Sequence, residues 1–98
     1  MSSLETASVT AQNTGTSAIT VRGARLVDIS VYGTWVATVH LQRKRMGDST
    51  WRDIESYAAN VEKTAQMATT WDMRLFCKTG NFTSGTISME ISAGDVGA

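Results

Sequence analysis

The sequence predicts a small all-β domain: one antiparallel β-sandwich or jelly roll with about seven or eight strands. Three observations support this class. β-Branched residues are abundant, proline is absent, and apolar residues alternate with polar ones over most of the chain. Threonine and serine alone contribute 14 and 10 residues. β-Branched side chains pack well on a pleated surface and are poor helix formers, so strands are expected throughout.

Length and charge set limits on size and partners. The 98 residues suit one domain with one core. Nine basic residues balance nine acidic ones. This gives no general attraction to nucleic acid or to an anionic membrane, because both need an extended positive field. The first residues lack the basic start and apolar run of a signal peptide, and no segment approaches bilayer-spanning length. We therefore expect neither a nucleic-acid partner nor a membrane.

Alternation predicts the first two long strands. Every second residue is apolar from Arg25 to Tyr32, and the pattern resumes from Trp35 to Leu41. Gly33 separates the two runs. We expect them to form two strands that pair with each other.

A hairpin is predicted next. The segment Met46 to Thr50 contains Gly47 and Asp48, which favour a turn. The return strand runs from Trp51 to Tyr57. Ile54 is out of phase with both ends of that strand, which indicates either a β-bulge, the interpretation we favour, or a strand with both faces partly covered.

The last third of the chain predicts a second hairpin. The strand Thr70 to Lys78 is followed by a turn over residues 79–85 and by the strand Thr86 to Ser92. Alternation in both strands is regular. The residues expected to face inward are Trp71, Met73, Leu75, Cys77, Ile87, Met89 and Ile91.

Three short strands complete the prediction, near residues 8–12, 18–21 and 62–67. A single helical turn within Ala58 to Ala68 is the alternative for the last of these, because Ala, Glu, Lys and Gln gather there. We divide the chain into an extended N-terminal arm or edge strand (1–17), the β-sandwich domain (18–93) and a frayed tail (94–98).

Residues capable of catalysis or metal binding are sparse. His40, the only histidine, is expected to face solvent without the partners that a zinc or copper site needs. Cys77 is expected to be a buried, inert thiol. Asp48, Asp53 and Glu55 near the hairpin suggest a calcium site or, as the favoured alternative, solvated charges. We predict no enzyme activity, no catalytic residue, no metal and no cofactor.

The candidate contacts with a partner are a basic cluster and two aromatic residues. Arg43, Lys44 and Arg45 adjoin Trp51 in sequence, and this cluster either protects a sheet edge or docks on an acidic protein surface. Phe82 is expected at an exposed turn tip, as an anchor for a partner pocket. The three tryptophans fit either the core, which we favour, or a platform for sugars. They are Trp35, Trp51 and Trp71.

Three blocks of sequence resemble a known family. They are ISVYGTWVATVHLQR (29–43), TWRDIESY (50–57) and KTGNFTSGT (78–86), and together they span much of the stretch 17–92. In these blocks the chain resembles small phage virion proteins of the β-sandwich capsid decoration, or cement, type. It departs from the family pattern between Arg43 and Thr50, where the family has a more acidic, glycine-rich turn.

The resemblance implies a non-enzymatic role. A protein of this type would bind the major capsid protein on the exterior of the assembled head and stabilise the virion. It would act as a homo-oligomer, for example a trimer, after synthesis in the host cytoplasm. The alternative function is a carbohydrate-binding or tail-associated β-sandwich module, because the same architecture serves many functions.

Overall fold

The computed structural model describes residues 3–23 and 25–94, which fold into two antiparallel sheets packed face to face. The predicted all-β sandwich class is confirmed. Nine strands are present in the described ranges: β1 (Ser3–Val9), β2 (Thr14–Gly15), β3 (Ile19–Val21), β4 (Leu26–Ala37), β5 (Val39–Lys44), β6 (Arg52–Tyr57), β7 (Val61–Gln66), β8 (Trp71–Cys77) and β9 (Phe82–Gly94). The first sheet has the order β1-β9-β4-β7. The second has the order β2-β8-β5-β6, with β3 also paired to β8.

The core lies between the sheets and follows the predicted alternation. In β8, and in β9 from Ile87 onward, every second residue is buried, and each inward residue predicted there is at most 7% exposed. β4 contributes Val27, Ile29 and Val31 in the same way. Burial of each large aliphatic side chain contributes about 1.5–3 kcal/mol, so these strands supply most of the apolar stabilisation.

β4 does not end at Gly33, so the predicted pairing of two strands across that glycine is wrong. The strand continues to Ala37 with Gly33 at a φ of 117° inside it. A Cβ at Gly33 would lie 2.7 Å from the Thr86 carbonyl oxygen, which explains the glycine without a chain break. β5 then belongs to the second sheet.

β8 and β9 also lie in different sheets, so the predicted hairpin between them is wrong. β9 pairs with β4 over the full length of β4 and with β1 on its other side. The β4–β5 and β8–β9 connections cross between the sheets side by side. The Thr38 amide donates to the Asn81 carbonyl oxygen at 2.8 Å and holds the two crossings together.

The predicted β5–β6 hairpin is confirmed. Its turn is closed by the Asp48 amide, which donates to the Arg45 carbonyl oxygen at 3.0 Å. The Asp48 carboxylate accepts a bond from the Ser49 amide at 2.8 Å. The predicted bulge is present as well, because the register shifts between Asp53 and Glu55 and leaves Ile54 as the extra residue.

The remaining segments are strands or connections. Residues 3–9 form β1, an edge strand paired with β9. β1 ends at Val9, so it includes only the first two residues of the strand expected near 8–12. The helical alternative over 58–68 is wrong, since β7 occupies Val61–Gln66. Of the tail predicted to fray, Gly94 is the last residue of β9, and 95–98 lie outside the described residues.

Candidate functional site

Four of the five predicted contact residues lie at one end of the sandwich, with Arg43 on the core-facing side of the second sheet and Lys44 on its outer face. We call this region the cation–tryptophan surface. It lies where β5 enters the hairpin and where β8 begins. Its members are Arg43, Lys44, Arg45, Trp51, Trp71 and Arg74.

Trp71 holds two arginines in place. Its side chain is 7% exposed, so the predicted core position is confirmed. The guanidinium carbons of Arg43 and Arg45 lie 4.0 and 3.8 Å from the ring centroid. Arg45 also donates to the Thr69 hydroxyl at 2.9 Å. Stacking on a fixed ring orders two otherwise flexible cations at the surface.

Trp51 lies on the outer face of the second sheet and is only half-buried, so the predicted core position is wrong for this tryptophan. Arg74 stacks 4.2 Å from its ring centroid, and the Lys44 ammonium lies 5.4 Å from the centroid. Lys44 is also paired with Asp72 at 3.4 Å. Outer-face cations and an aromatic ring therefore form one packed layer.

A buried glutamine positions Arg74. Gln42 is 4% exposed, and its Oε1 accepts a 2.8 Å bond from Arg74 Nε. Its Nε2 donates at 2.8 Å to Asp53, which also accepts a 2.6 Å bond from Lys78. Burial lowers the pKa of Arg74. Sequence reasoning missed Gln42 and Arg74 as contributors because they meet only through the β5–β8 pairing, which it did not predict.

Phe82 is separate from this surface. It begins β9 opposite Ala37 and packs against the core, half-buried, so it is not the exposed turn-tip residue that the sequence suggested. Arg43 is near the other end of β5, about 13 Å along the strand from Val39 at about 3.3 Å per residue. Trp35 is likewise half-buried, and its Nε1 donates to Asn60 at 2.8 Å.

The three carboxylates considered for calcium have different partners. Asp53 is bonded to Lys78 and Gln42, and these bonds lower its pKa. Glu55 accepts bonds from Lys63 and Tyr57, which lower its pKa. Asp48 caps its own turn. Within the described ranges, no three His, Cys, Asp or Glu side chains form a group able to hold a metal ion.

His40 and Cys77 lie where alternation places them. His40 is on the outer side of β5 but half-buried, and its Nδ1 has no hydrogen-bond partner in the described part of the chain. Cys77 is fully buried, and burial raises the pKa of its thiol. A buried protonated thiol is a poor nucleophile, in agreement with the prediction of an inert cysteine.

The outer face of the first sheet has the opposite charge, and we call it the acidic face. A trough of about 530 Å³ there is lined by Asp28, Glu62 and Glu90 together with hydroxyl side chains. Thr64 donates to Asp28 at 2.5 Å, and Ser30 donates to Glu62. Tyr32 is 44% exposed on this face, and its hydrogen bond with Glu90 raises its pKa.

The comparisons give no family assignment. No protein-family model, curated protein or solved structure matches this chain. The described residues include no helix with the length and apolar content needed to cross a membrane. The cation–tryptophan surface and the acidic face are therefore the structural features that bear on function.

Proposed function

We propose that this chain is a non-enzymatic structural protein of a phage virion, a decoration or cement protein that binds the assembled head and stabilises it. Two features support the proposal. The first is the resemblance carried by residues 29–43, 50–57 and 78–86. The second is the cation–tryptophan surface, which is the main structural support for the proposal.

The cation–tryptophan surface suits docking on an acidic protein surface. Arg45 and Arg52 are exposed, and Arg43 lies opposite Arg52 in the β5–β6 pairing. The stacked guanidiniums are held by a buried ring, so less side-chain entropy is lost on binding than for free arginines. A fixed positive surface also accelerates association with a negative partner and favours one orientation.

The blocks that carry the resemblance come together in the fold. The first covers most of β4 and most of β5, and the last covers the β8–β9 crossing. These two crossings are joined by the bond between Thr38 and Asn81. The residues that carry the resemblance therefore include both of these connections between the two sheets.

The mechanism follows from linkage. A protein that binds the assembled shell and not its separated subunits stabilises the shell by mass action. Many copies on a symmetric surface add their contributions, and each additional contact raises the effective affinity of the array. The major capsid protein is the partner in this proposal, and no chemical step is involved.

A carbohydrate-binding module is the weaker alternative. It needs an aromatic ring whose face is free for a sugar. Trp71 is buried between two arginines, and the Trp51 ring already contacts Arg74 and Lys44. A shift of tryptophan emission on sugar addition that Trp51→Ala abolishes would favour this module over the structural role.

The decisive experiment is the copy number of the chain on purified virions. We expect many copies per head, and heads that lack the protein should lose resistance to heat or to low salt. Adding back purified protein should restore that resistance. Absence of the chain from virions would overturn the proposal.

A further inference from the structure

The edge strand β1 of the first sheet supports an inference that does not depend on the capsid role. Each sheet of a sandwich ends in strands with unpaired backbone N–H and C=O groups, and soluble proteins protect such edges against other strands. The usual devices are charges, bulges and short strands. Three of the four edges in this fold are short, bulged or contain more than one charged residue, whereas the fourth contains a single charge.

Three edges of the two sheets are protected in different ways. β6 contains the Ile54 bulge and several charged residues. β7 places Lys63 on the core-facing side opposite Ile29, bonded to Glu55 of the other sheet. The third edge is divided between β2 and β3, which are two and three residues long.

β1 differs from all three. It spans seven residues, Ser3–Val9, and pairs with β9 in an unbroken register without a bulge. Its one charged residue is Glu5, on the core-facing side opposite Ile91, and it contains no lysine or arginine. Leu4 is 59% exposed on its outer side. The strand is long, regular and almost uncharged, which is the description of an edge ready to pair.

We propose that β1 pairs antiparallel with β1 of a second copy of this chain, forming a two-fold dimer with one continuous eight-stranded sheet. Two-fold dimers are the commonest protein oligomers, and they place identical strands antiparallel. With the two-fold axis at Thr6, Glu5 lies opposite Ala7 of the second copy. The only charge on the strand therefore never faces itself, and like-charge repulsion does not oppose the pairing.

The same register brings Leu4 opposite Ser8 of the second copy and covers part of its exposed side chain. The inner face of the sheet also continues, because Ala7 and Val9 point toward the core. A second copy thus supplies an edge of equal length with compatible charge. The two acidic faces then lie side by side on one surface of the dimer.

The test uses the whole chain and two matched threonines. Thr6 and Thr64 are both exposed, and each lies near the middle of an edge strand of the first sheet. Sedimentation should give twice the chain mass of 10.6 kDa for the wild type. Thr6→Lys sets two like charges opposite each other and should weaken the dimer at least about tenfold. Thr64→Lys should leave it unchanged.

A second variant keeps the inference falsifiable if Thr6→Lys fails to fold. Cys77 is buried, so an introduced cysteine is the only accessible thiol in the described residues. Thr6→Cys should form a disulfide-linked dimer on mild oxidation, and Thr64→Cys should not. A wild type that stays monomeric at millimolar concentration would overturn the inference. So would a dimer that survives Thr6→Lys and dissociates on reversal of Arg45 and Arg52.

Discussion

The two charged surfaces of this sandwich are built in different ways. On the cation–tryptophan surface, arginines rest on aromatic rings, and one ring is part of the core. On the acidic face, carboxylates lie on the outer side of the strands and accept bonds from neighbouring threonine or serine hydroxyls. The first surface therefore contributes to the stability of the fold, whereas the second consists of solvated groups outside the core.

This difference separates two kinds of surface residue. Replacing a residue of the cation–tryptophan surface should change folding and binding together, because Trp71 and Gln42 are buried beneath the cations. Replacing a carboxylate of the acidic face should change charge and little else, since exposed polar groups contribute little to stability.

The largest effect is expected for the buried tryptophan. Trp71→Ala removes a ring that is 7% exposed and leaves a cavity, which costs about 3–5 kcal/mol of unfolding free energy. Trp51→Ala removes only outer-face stacking and should cost about 1 kcal/mol. Denaturant unfolding of both variants measures the difference. Equal losses would show that the two rings play the same part in the fold.

Charge reversal at the cation–tryptophan surface and the neighbouring Arg52 should have the next largest effect, on binding. Arg45→Glu combined with Arg52→Glu should slow association with purified heads about tenfold to a hundredfold at low salt. The matched control is Glu62→Gln with Glu90→Gln on the acidic face, which should bind as the wild type does. Association rates measured at rising salt check the effect, and a difference that salt does not reduce would argue against steering.

Loss of the buried amide should cost less. Gln42→Leu leaves Arg74 Nε and one oxygen of Asp53 without their partner, at about 1–3 kcal/mol. Gln12 provides the control, because it is exposed and makes one bond to the Gly80 amide. Gln12→Leu should change stability by about 0.5 kcal/mol or less. Thermal and denaturant unfolding should rank the two variants in this order.

The contrast between the two surfaces also shows which structural features can be predicted from the sequence. Local alternation predicts the strands and the inward residues of β4, β8 and β9, because side-chain period depends on neighbours along the chain. It cannot say which strands pair. The sequence predicts a break at Gly33, which lies inside β4, and an uninterrupted strand across Thr38, where the chain crosses to the second sheet. It also predicts a hairpin at the turn that contains Asn81, where the chain crosses back to the first sheet.

The same limit applies to the two surfaces. Arg43, Lys44 and Arg45 are consecutive, so their cluster is visible in the sequence. The acidic face brings together Asp28, Glu62 and Glu90 from three strands far apart in the chain. Only the pairing of β4 with β7 and β9 creates it, and no local pattern carries that information.

Acidification gives the smallest predicted effect. The pKa values of Asp53 and Glu55 are lower in the folded state than their ordinary values of 3.8 and 4.5, mainly through bonds with Lys78 and Lys63. A lowered folded pKa stabilises the protein above the ordinary pKa, and this contribution is lost as pH falls through the folded value. Stability should therefore decline below about pH 5. Each half-exposed ion pair contributes about 0–1 kcal/mol.

The lysine partner provides the check on this assignment. Asp53→Asn should flatten the loss of stability between about pH 5 and pH 3, because the titrating carboxylate is gone. Lys78→Met should flatten it as well, since it removes the main cause of the lowered pKa of Asp53. The double variant should then add nothing to either single one, because both remove the same ion pair. Additive effects in unfolding measured across this range would mean that Lys78 stabilises the fold through some other group.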